Sequence, residues 1–434
     1  MSARPELLFL SPVLPAESGN GLAMRAGIFL EAYARHFDVT VAVLHLFGKP
    51  PEGPLPDFLG RHAFRVEVLP LDRFLSPLTR LIALHRDPEA RRAALRAYPW
   101  PRQALYDAES VLKALLPRLE GRPFSRMHAM RLYMAPLAEP WLGRIPCLMD
   151  MDEDEIGTRE RLAALHEANG EAIAAASERM DAGKYATLER GFLARFDRSF
   201  LASPTEAGRL ARRNPAARFA VVPNAVRPPS GPAAAADRPA IDFLLVGTLG
   251  YYPNLDAAAY FCREIRQHLV EAGRAPRIAI VGRNPPPSLS ALAELPGVEL
   301  CADVPDVAGY YAAAKVAVVP IRAGGGSRIK ILEAFAHGVP VVSTGLGAEG
   351  LEVEHGQHLL LADGPEAFAA AAARLCDDGV LAAALAAAAR RLLMERYSFA
   401  AVAPKLEALA LAPAAMIDCA AENRTGPAEG GLHR

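Results

Sequence analysis

Residues 315–350 read KVAVVPIRAGGGSRIKILEAFAHGVPVVSTGLGAEG, and this stretch decides the fold. The apolar run Val316 to Pro320 predicts a buried strand, and three glycines then lead into a helix predicted over about Arg328 to His337. Gly338 ends that helix, and Val339 to Ser343 predicts the next strand. A strand, a loop, a helix and a second strand in this order indicate a parallel sheet with helices packed on its faces.

The same stretch carries a chemical pattern. The glycines Gly324 to Gly326 expose backbone N–H groups, and with the positive end of the following helix they suit a bound diphosphate. Arg328 and Lys330 stand in the first helical turn, where the helix dipole disfavours a cation unless an anion lies beside it. Glu333 lies one turn beyond Lys330, where its carboxylate can accept hydrogen bonds from the two vicinal hydroxyls of a ribose. The pattern predicts a site for a nucleoside diphosphate.

Alternating strands and helices continue on both sides of this stretch. Two such sheets in one chain place their carboxyl-terminal strand ends against a shared cleft. The sequence therefore predicts an α/β protein made of two Rossmann-like, doubly wound parallel-sheet domains. The further predicted strands are Glu6 to Leu10, Asp38 to Leu44, Phe64 to Leu69, Phe124 to His128, Arg198 to Ala202, Asp242 to Val246 and Arg277 to Val281.

The predicted domain limits follow from composition. Residues 1–218 form the first domain and residues 219–398 the second, with a Pro/Ala-rich linker that ends at Pro239. A helix over 399–412 follows the second domain, and the tail 413–434 has the composition of a disordered segment. Residues 71–119 are helical in pattern, basic and broken by prolines, and we assign them no role.

Two shorter motifs lie in the first domain. Gly19-Asn20-Gly21 separates the first predicted strand from a helix over about Leu22 to Arg35, where the glycines serve either a ligand across the cleft or a tight strand-to-helix turn. Ser203-Pro204-Thr205-Glu206 is an S-x-x-E capping box that opens a helix. Neither motif identifies a function by itself.

Composition narrows the function further. The 434 residues carry a net charge of -1, so no overall field draws the chain to nucleic acid. The N-terminal apolar run is too short for a signal peptide, and no run reaches the length of a membrane span. The five cysteines are scattered and show no C-x-x-C spacing, which favours neither a disulfide framework nor a zinc site. We therefore expect a cytoplasmic protein.

The run Gly324 to Gly350 strongly resembles the donor-binding segment of the retaining GT-B glycosyltransferases called family 4 or group 1, and within them the branch that makes exopolysaccharide. The resemblance extends to His128 to Pro136, Asp150 to Glu155, Val222-Pro223-Asn224, the loop after Asp242, and Arg396-Tyr397-Ser398-Phe399. In that family the segment matching Arg396 to Phe399 precedes a helix that crosses back to the first domain, which is the role implied for residues 399–412.

The resemblance implies a hexosyltransferase that uses a nucleotide diphosphate sugar as co-substrate, with no other cofactor and no metal, and retains the anomeric configuration. The acceptor is then a glycan or a lipid-linked molecule, which leaves peripheral contact with the inner membrane face open. The implied catalytic residues are His128, Arg328 and Lys330. The implied donor-binding residues are Gly247, Thr248, Gly325, Gly326, Ser327, Arg328, Lys330, Glu333, Gly347 and Glu349.

Two positions depart from the family pattern. The family has two glutamates eight residues apart, and Glu333 matches the second, whereas the first position is Gly325. Many members also carry a basic pair after the first strand of the second domain, where this chain has Thr248 and Asn254. We expect Arg328 and Lys330 to supply the missing positive charge.

The first domain supplies the acceptor side in this interpretation, through Gly19, Asn20, Gly21, Arg131 and Asp152. His128 is the candidate group near the acceptor hydroxyl, because the predicted strand Phe124 to His128 ends at the cleft edge; a histidine satisfied within the structure is the alternative. The acidic run Asp150 to Glu155 fits a solvated acidic loop or a helix start better than a metal site, with acceptor recognition as the lesser option.

Other functions stay open at this stage. The same two-sheet layout serves sugar-nucleotide epimerases, and the loss of the carboxylate at Gly325 suits a subunit that binds nucleotide sugar without turning it over. A metal-dependent transferase would use Asp150 to Glu155. A dehydrogenase is disfavoured, since Met24 stands where the third glycine of G-x-G-x-x-G belongs.

Overall fold

The computed structural model describes residues 4–46, 53–84, 87–229, 231, 240–326 and 328–412. The predicted tail 413–434, most of the predicted linker and Ser327 therefore lie outside the described residues. The described chain forms two parallel sheets, each covered by helices on both faces.

The first sheet has seven strands in the order β3-β2-β1-β4-β5-β6-β7, and all its pairs are parallel. Its strands are β1 Glu6–Ser11, β2 Asp38–His45, β3 Arg65–Pro70, β4 Phe124–Met130, β5 Cys147–Asp152, β6 Arg198–Leu201 and β7 Phe219–Val221.

The second sheet has six strands in the order β10-β9-β8-β11-β12-β13, again all parallel. Its strands are β8 Ile241–Thr248, β9 Ile278–Arg283, β10 Val298–Ala302, β11 Ala314–Val319, β12 Val341–Ser343 and β13 Leu360–Leu361.

The helices follow the strands in the alternation that parallel sheets require. In the first domain they are α1 Gly21–Ala34, α2 Asp57–His62, α3 Pro77–Leu84, α4 Pro88–Ala97, α5 Ala108–Leu115, α6 Glu155–Ala168, α7 Ala172–Phe192 and α8 Pro204–Arg213. In the second part of the chain they are α9 Tyr252–Tyr260, α10 Arg266–Glu271, α11 Ala308–Ala313, α12 Ile329–Ala336, α13 Gly345–Ala348, α14 Pro365–Asp377, α15 Gly379–Leu392 and α16 Phe399–Leu411.

The predicted fold class is confirmed, and two details of the prediction are wrong. The boundary at residue 218 cuts off β7, which pairs with β6 and so belongs to the first sheet. The strand β5 went unrecognised, because its sequence CLMDMD carries carboxylates in a strand whose residues are almost all buried.

Helix α16 returns to the first domain and packs against α1. Phe399, Val402 and Leu406 join the apolar core that also contains Phe29 of α1. The carboxylate of Glu407 is bound at the same surface by side chains at the end of α1. The helix that follows the second domain is therefore part of the first domain's core, as the resemblance implies.

Candidate functional site

The order of the strands reverses between β1 and β4 in the first sheet and between β8 and β11 in the second. In an open parallel sheet, ligands bind at the carboxyl ends of the strands where the order reverses. The loop after β1 and the loop after β11 leave from these two points, and the structure brings them against each other.

The loop after β1 is the Gly19-Asn20-Gly21 motif. Asn20 caps α1, its side chain accepting from the Ala23 amide at 2.9 Å. A Cβ atom built on Gly21 would lie 2.9 Å from the Ile329 side chain at the start of α12. Gly19 has a positive φ of 116°, and a Cβ there would lie 3.6 Å from the Arg283 guanidinium at the end of β9. The motif faces the second domain across the cleft.

The glycine segment joins β11 to α12. Gly324 and Gly326 have positive φ angles of 119° and 70°, a conformation that favours glycine. The Arg328 guanidinium folds back and donates from Nη1 to the Gly325 carbonyl oxygen. Arg328 is only 8% exposed, and its Nε and Nη2 atoms have no hydrogen-bond partner within the described structure. The segment thus presents a buried cation with unused donors.

Lys330 joins a small group at the end of β8. Its ammonium donates to Asn254 Oδ1, and Asn254 Nδ2 donates to the Thr248 carbonyl at 2.9 Å. Gly247 allows this packing, because a Cβ there would lie 2.8 Å from Asn254 Nδ2. Burial, aided by the charge of Arg328, lowers the pKa of Lys330 to about 7. An ammonium whose charge is disfavoured this strongly gains from a bound anion.

Glu333 lies one turn further along α12. Its side chain is half-buried, and burial raises its pKa to about 7 against the opposing effect of Lys330. Neither Arg328 nor Lys330 forms a salt bridge within the described residues. Two cations and a carboxylate are therefore held together, half-buried or buried, at the start of one helix.

The loop after β12 makes close contacts with both domains. Gly347 packs on β11, where a Cβ atom would lie 2.8 Å from the Val319 carbonyl oxygen. Glu349 pairs with two arginines of the first domain, Arg161 at 2.8 Å and Arg209 at 2.7 Å. Glu349 therefore links the two domains by ion pairs, and its implied contact with the donor stays a prediction.

The acidic run of the first domain is buried or half-buried and paired with arginines, so the interpretation as a solvated loop is wrong, whereas the alternative of a helix start is confirmed because the run ends where α6 begins. Asp150 accepts two hydrogen bonds from Arg25, at 2.6 and 2.7 Å. Arg131 binds Asp152 at 3.1 Å and Glu153 at 2.6 Å, and also binds Glu155. No group of three or more His, Cys, Asp or Glu side chains in the described part of the chain is arranged to hold a metal ion.

Arg131 and Asp152 stand at the carboxyl ends of β4 and β5. Both have positive φ angles, 72° and 64°, which are uncommon for residues other than glycine and are often found at functional sites. A Cβ atom built on Gly326 would lie 3.9 Å from Asp152 Oδ1. These two acceptor-side candidates therefore lie at the cleft, bonded to each other.

His128 does not lie at the cleft edge, and the expectation that it does is wrong. Strand β4 continues to Met130, so His128 sits inside the strand with its side chain 0% exposed. Its ring packs between Phe9 and Phe29, and Nδ1 pairs with the Tyr33 hydroxyl at 2.7 Å. Burial and the charge of Arg25 lower its pKa to about 3. His128 is a neutral core residue in this structure.

The residues that sequence reasoning missed come from the first domain and surround Gly325. A Cβ atom there would lie 2.0 Å from Thr158 Oγ1, 2.6 Å from Glu153 Oε2 and 3.1 Å from Glu206 Oε1. Side chains of another domain occupy this volume, so only glycine fits. The signal for Glu206 was present in the sequence as the acid of the capping box, which was interpreted as local.

Comparison with known proteins agrees with this architecture. Residues 240–378 match the family model described as "Glycosyl transferases group 1". No curated protein sequence matches the chain significantly.

Several solved structures match nearly the whole chain. Sucrose-phosphate synthase from Thermosynechococcus elongatus is 16% identical with a TM-score of 0.67, over 94% of this chain and 98% of that one. Anabaena Alr3699/HepE, solved in complex with UDP and glucose, is 14% identical with a TM-score of 0.60, over 94% and 99%. WaaG, a glycosyltransferase involved in lipopolysaccharide biosynthesis, is 15% identical with a TM-score of 0.56, over 93% and 99%. The chain has the GT-B fold, and its residues 240–378 resemble the group 1 glycosyl transferases.

Proposed function

We propose that this chain is a metal-independent hexosyltransferase that moves a sugar from a nucleotide diphosphate sugar to a glycan or lipid-linked acceptor and retains the anomeric configuration, in polysaccharide or glycoconjugate biosynthesis. The observation that carries the proposal is the placement of Arg328 and Lys330. Both cations lie buried or half-buried where β11 passes into α12, at the strand-order reversal of the second sheet, and neither forms a salt bridge with a carboxylate within the described residues.

In this proposal the donor's diphosphate lies beside Arg328 and Lys330. The leaving group is a diphosphate, whose growing negative charge must be neutralised for the glycosidic bond to break. Arg328 keeps two donor atoms unused, and Lys330 holds an ammonium whose pKa is lowered to about 7. A diphosphate between them and the Gly326 amide would satisfy those donors and raise the pKa of Lys330 towards its ordinary value.

The remaining donor contacts follow from that position. Glu333, one helical turn beyond Lys330, accepts hydrogen bonds from the ribose hydroxyls in this proposal. Its raised pKa falls when hydroxyl donors stabilise the carboxylate. Thr248 and Gly247 lie at the end of β8 beside Asn254, where they border the sugar or the phosphate. Gly325 and Gly326 contribute backbone rather than side chains.

The acceptor enters from the first domain in this proposal. Gly21 of the Gly19-Asn20-Gly21 motif lies against Ile329 at the start of α12. Asp152, which is bonded to Arg131, lies near Gly326. Closure of the domains then excludes water from the activated sugar. No helix of the described chain is long and apolar enough to cross a bilayer. A lipid-linked acceptor would be reached at the inner membrane face by peripheral contact.

Donor binding is the first test. Isothermal titration calorimetry with UDP, GDP, ADP and their sugars, with and without EDTA, identifies the base and tests metal independence. Arg328→Ala and Lys330→Ala should each weaken binding of the preferred nucleotide by roughly 1.5–3 kcal/mol, the loss of one charged hydrogen bond. Lys405→Ala, an exposed lysine on α16, is the matched control.

Turnover decides between enzyme and binder. Product formation followed by NMR reports the anomeric configuration, and retention is expected. Full turnover and unchanged donor affinity in both Arg328→Ala and Lys330→Ala would overturn the proposal.

A second function has one observation in its favour. Gly325 leaves the glycine segment before α12 without a carboxylate, and first-domain side chains fill that volume. A scaffold subunit that binds nucleotide sugar would then bind tightly without hydrolysis or transfer. Interconversion of sugar nucleotides without any acceptor would instead identify an epimerase.

A further inference from the structure

The side chain of Glu206, a residue of the first domain, reaches the glycine segment of the second domain. Ser203 caps α8 by accepting from the Glu206 amide at 3.4 Å, but the Glu206 carboxylate does not return to the cap. Its Oε1 atom accepts instead from the Gly326 amide at 3.2 Å and from the Asp154 amide at 3.3 Å. The capping-box sequence predicts that this carboxylate bonds to the end of its own helix, but it accepts a hydrogen bond from a backbone N–H of the other domain instead.

The second carboxylate oxygen lacks a hydrogen-bond partner in the part of the chain that the structure describes. Glu206 is 2% exposed, and its Oε2 atom makes no hydrogen bond within the described structure. An unbonded oxygen of a buried carboxylate is costly. Arg328, whose Nε and Nη2 are equally unused, interacts electrostatically with Glu206 across the cleft. Unsatisfied donors and an unsatisfied acceptor thus face one region between the domains.

Charges of both signs surround the Glu206 carboxylate. The guanidinium of Arg161 lies 3.8 Å away and that of Arg209 3.9 Å away, both beyond hydrogen-bonding distance. Burial raises the pKa of Glu206 to about 7, helped by the negative charges of Glu153 and Asp152 and opposed by its two backbone hydrogen bonds. The carboxylate is therefore held by two amides, in a place that does not suit its charge.

We infer that Glu206 is an internal competitor of the donor's diphosphate, because it occupies the Gly326 amide that the diphosphate needs. The inference rests on the proposed function, since the competition requires a diphosphate at this amide. Two anions cannot share one N–H group in a site of low dielectric. Glu206 stands on a first-domain helix and Gly326 in the second domain, so the donor enters as this link between the domains breaks.

Calorimetry on two variants tests the competition. Glu206→Ala removes the competing anion, and Glu206→Gln keeps the shape while removing the charge. UDP, GDP and ADP are titrated into the full chain at pH 6, 7 and 8, and thermal unfolding confirms that each variant is folded. Glu139→Gln, an exposed acid paired with Arg195, makes the same charge change away from the cleft.

Competition predicts tighter binding without Glu206. The preferred nucleoside diphosphate should bind Glu206→Ala about tenfold more tightly than the natural chain at pH 8, and Glu206→Gln should change in the same direction. The difference should shrink at pH 6, where a carboxyl with a pKa of about 7 is mostly neutral in the natural chain. Glu139→Gln should bind like the natural chain.

The outcomes separate this inference from the proposed function. Nucleotide binding that is unchanged or weaker in both Glu206 variants overturns the inference alone, because Glu206 then either does not compete or contacts the donor. A chain that binds none of the three nucleotides, with or without the substitutions, overturns the proposed function and the inference together.

Discussion

Removing the Arg25 side chain is expected to destabilise the first domain strongly. Arg25 lies on α1, is 1% exposed, and donates to both oxygens of Asp150 at 2.7 and 2.6 Å. Its Nη1 atom donates to the Val222 carbonyl and to Asn224 Oδ1, each at 3.0 Å. One guanidinium thus joins the first helix, the fifth strand and the segment that leaves the first domain.

The expected loss of stability comes from the buried charge that the substitution leaves unpaired. Arg25→Met keeps most of the apolar volume but leaves the Asp150 carboxylate, which is 0% exposed, without its counter-charge. Removing one partner of a buried ion pair costs roughly 3–5 kcal/mol. Adding Asp150→Asn removes the stranded charge, so the double variant should be more stable than Arg25→Met alone.

Tryptophan fluorescence can follow the unfolding of the first domain. The chain's two tryptophans, Trp100 and Trp141, both pack on the first domain's core, so urea unfolding followed by tryptophan fluorescence reports that domain. The control is Arg195→Met, which breaks an exposed pair with Glu139 and should cost no more than about 1 kcal/mol. If Arg25→Met unfolds within about 1 kcal/mol of the natural chain, the reasoning about the buried pair is refuted.

Three further predictions follow from the site and its surroundings. Burial lowers the pKa of His128 from 6.5 to about 3, so its contribution to stability is present above pH 6.5 and is lost as the pH falls towards 3. In urea unfolding, His128→Gln should make the first domain's free energy of unfolding less dependent on pH in that range, and an unchanged slope would contradict the prediction. Donor affinity should fall above about pH 7 as Lys330 loses its proton, and calorimetry on Lys330→Arg should show a weaker pH dependence; an identical dependence would speak against a role for that charge. Gly325→Ala places a methyl group 2.0 Å from Thr158 Oγ1 and should part the domains, seen as a larger radius of gyration by small-angle scattering, whereas Gly183→Ala in α7, with nothing within 4 Å, should not.

Much of the fold was predictable because parallel strands buried on both faces read as short apolar runs between helices. The apolar runs that begin at Glu6, Asp38 and Lys315 all became strands in register with their neighbours. Strand β5 escaped because Asp150 and Asp152 break the apolar pattern. Both acids are tolerated there only because arginines far along the chain neutralise them, and that pairing has no local signature.

The candidate site was predictable to the extent that its chemistry is local. Glycines before a helix, two cations in its first turn and an acid one turn later all lie within ten residues, so their spacing alone brings them together. His128 failed for the opposite reason. Whether a strand residue faces the core or the cleft depends on where the strand ends, and β4 runs two residues further than predicted.

The position of Glu206 shows why the other residues of the site could not be predicted from the sequence alone. An S-x-x-E sequence predicts that the acid returns to its own helix end, and half of that motif forms, since Ser203 does cap α8. The acid leaves because a backbone amide of another domain offers a hydrogen bond only after both sheets have been built and closed on each other. The glycine at position 325 is explained in the same way, because Thr158, Glu153 and Glu206 of the first domain occupy the space that a side chain there would fill. A residue whose partner lies 120 positions away in the chain, as Glu206 and Gly326 do, can be understood only when both ends of the contact are seen together.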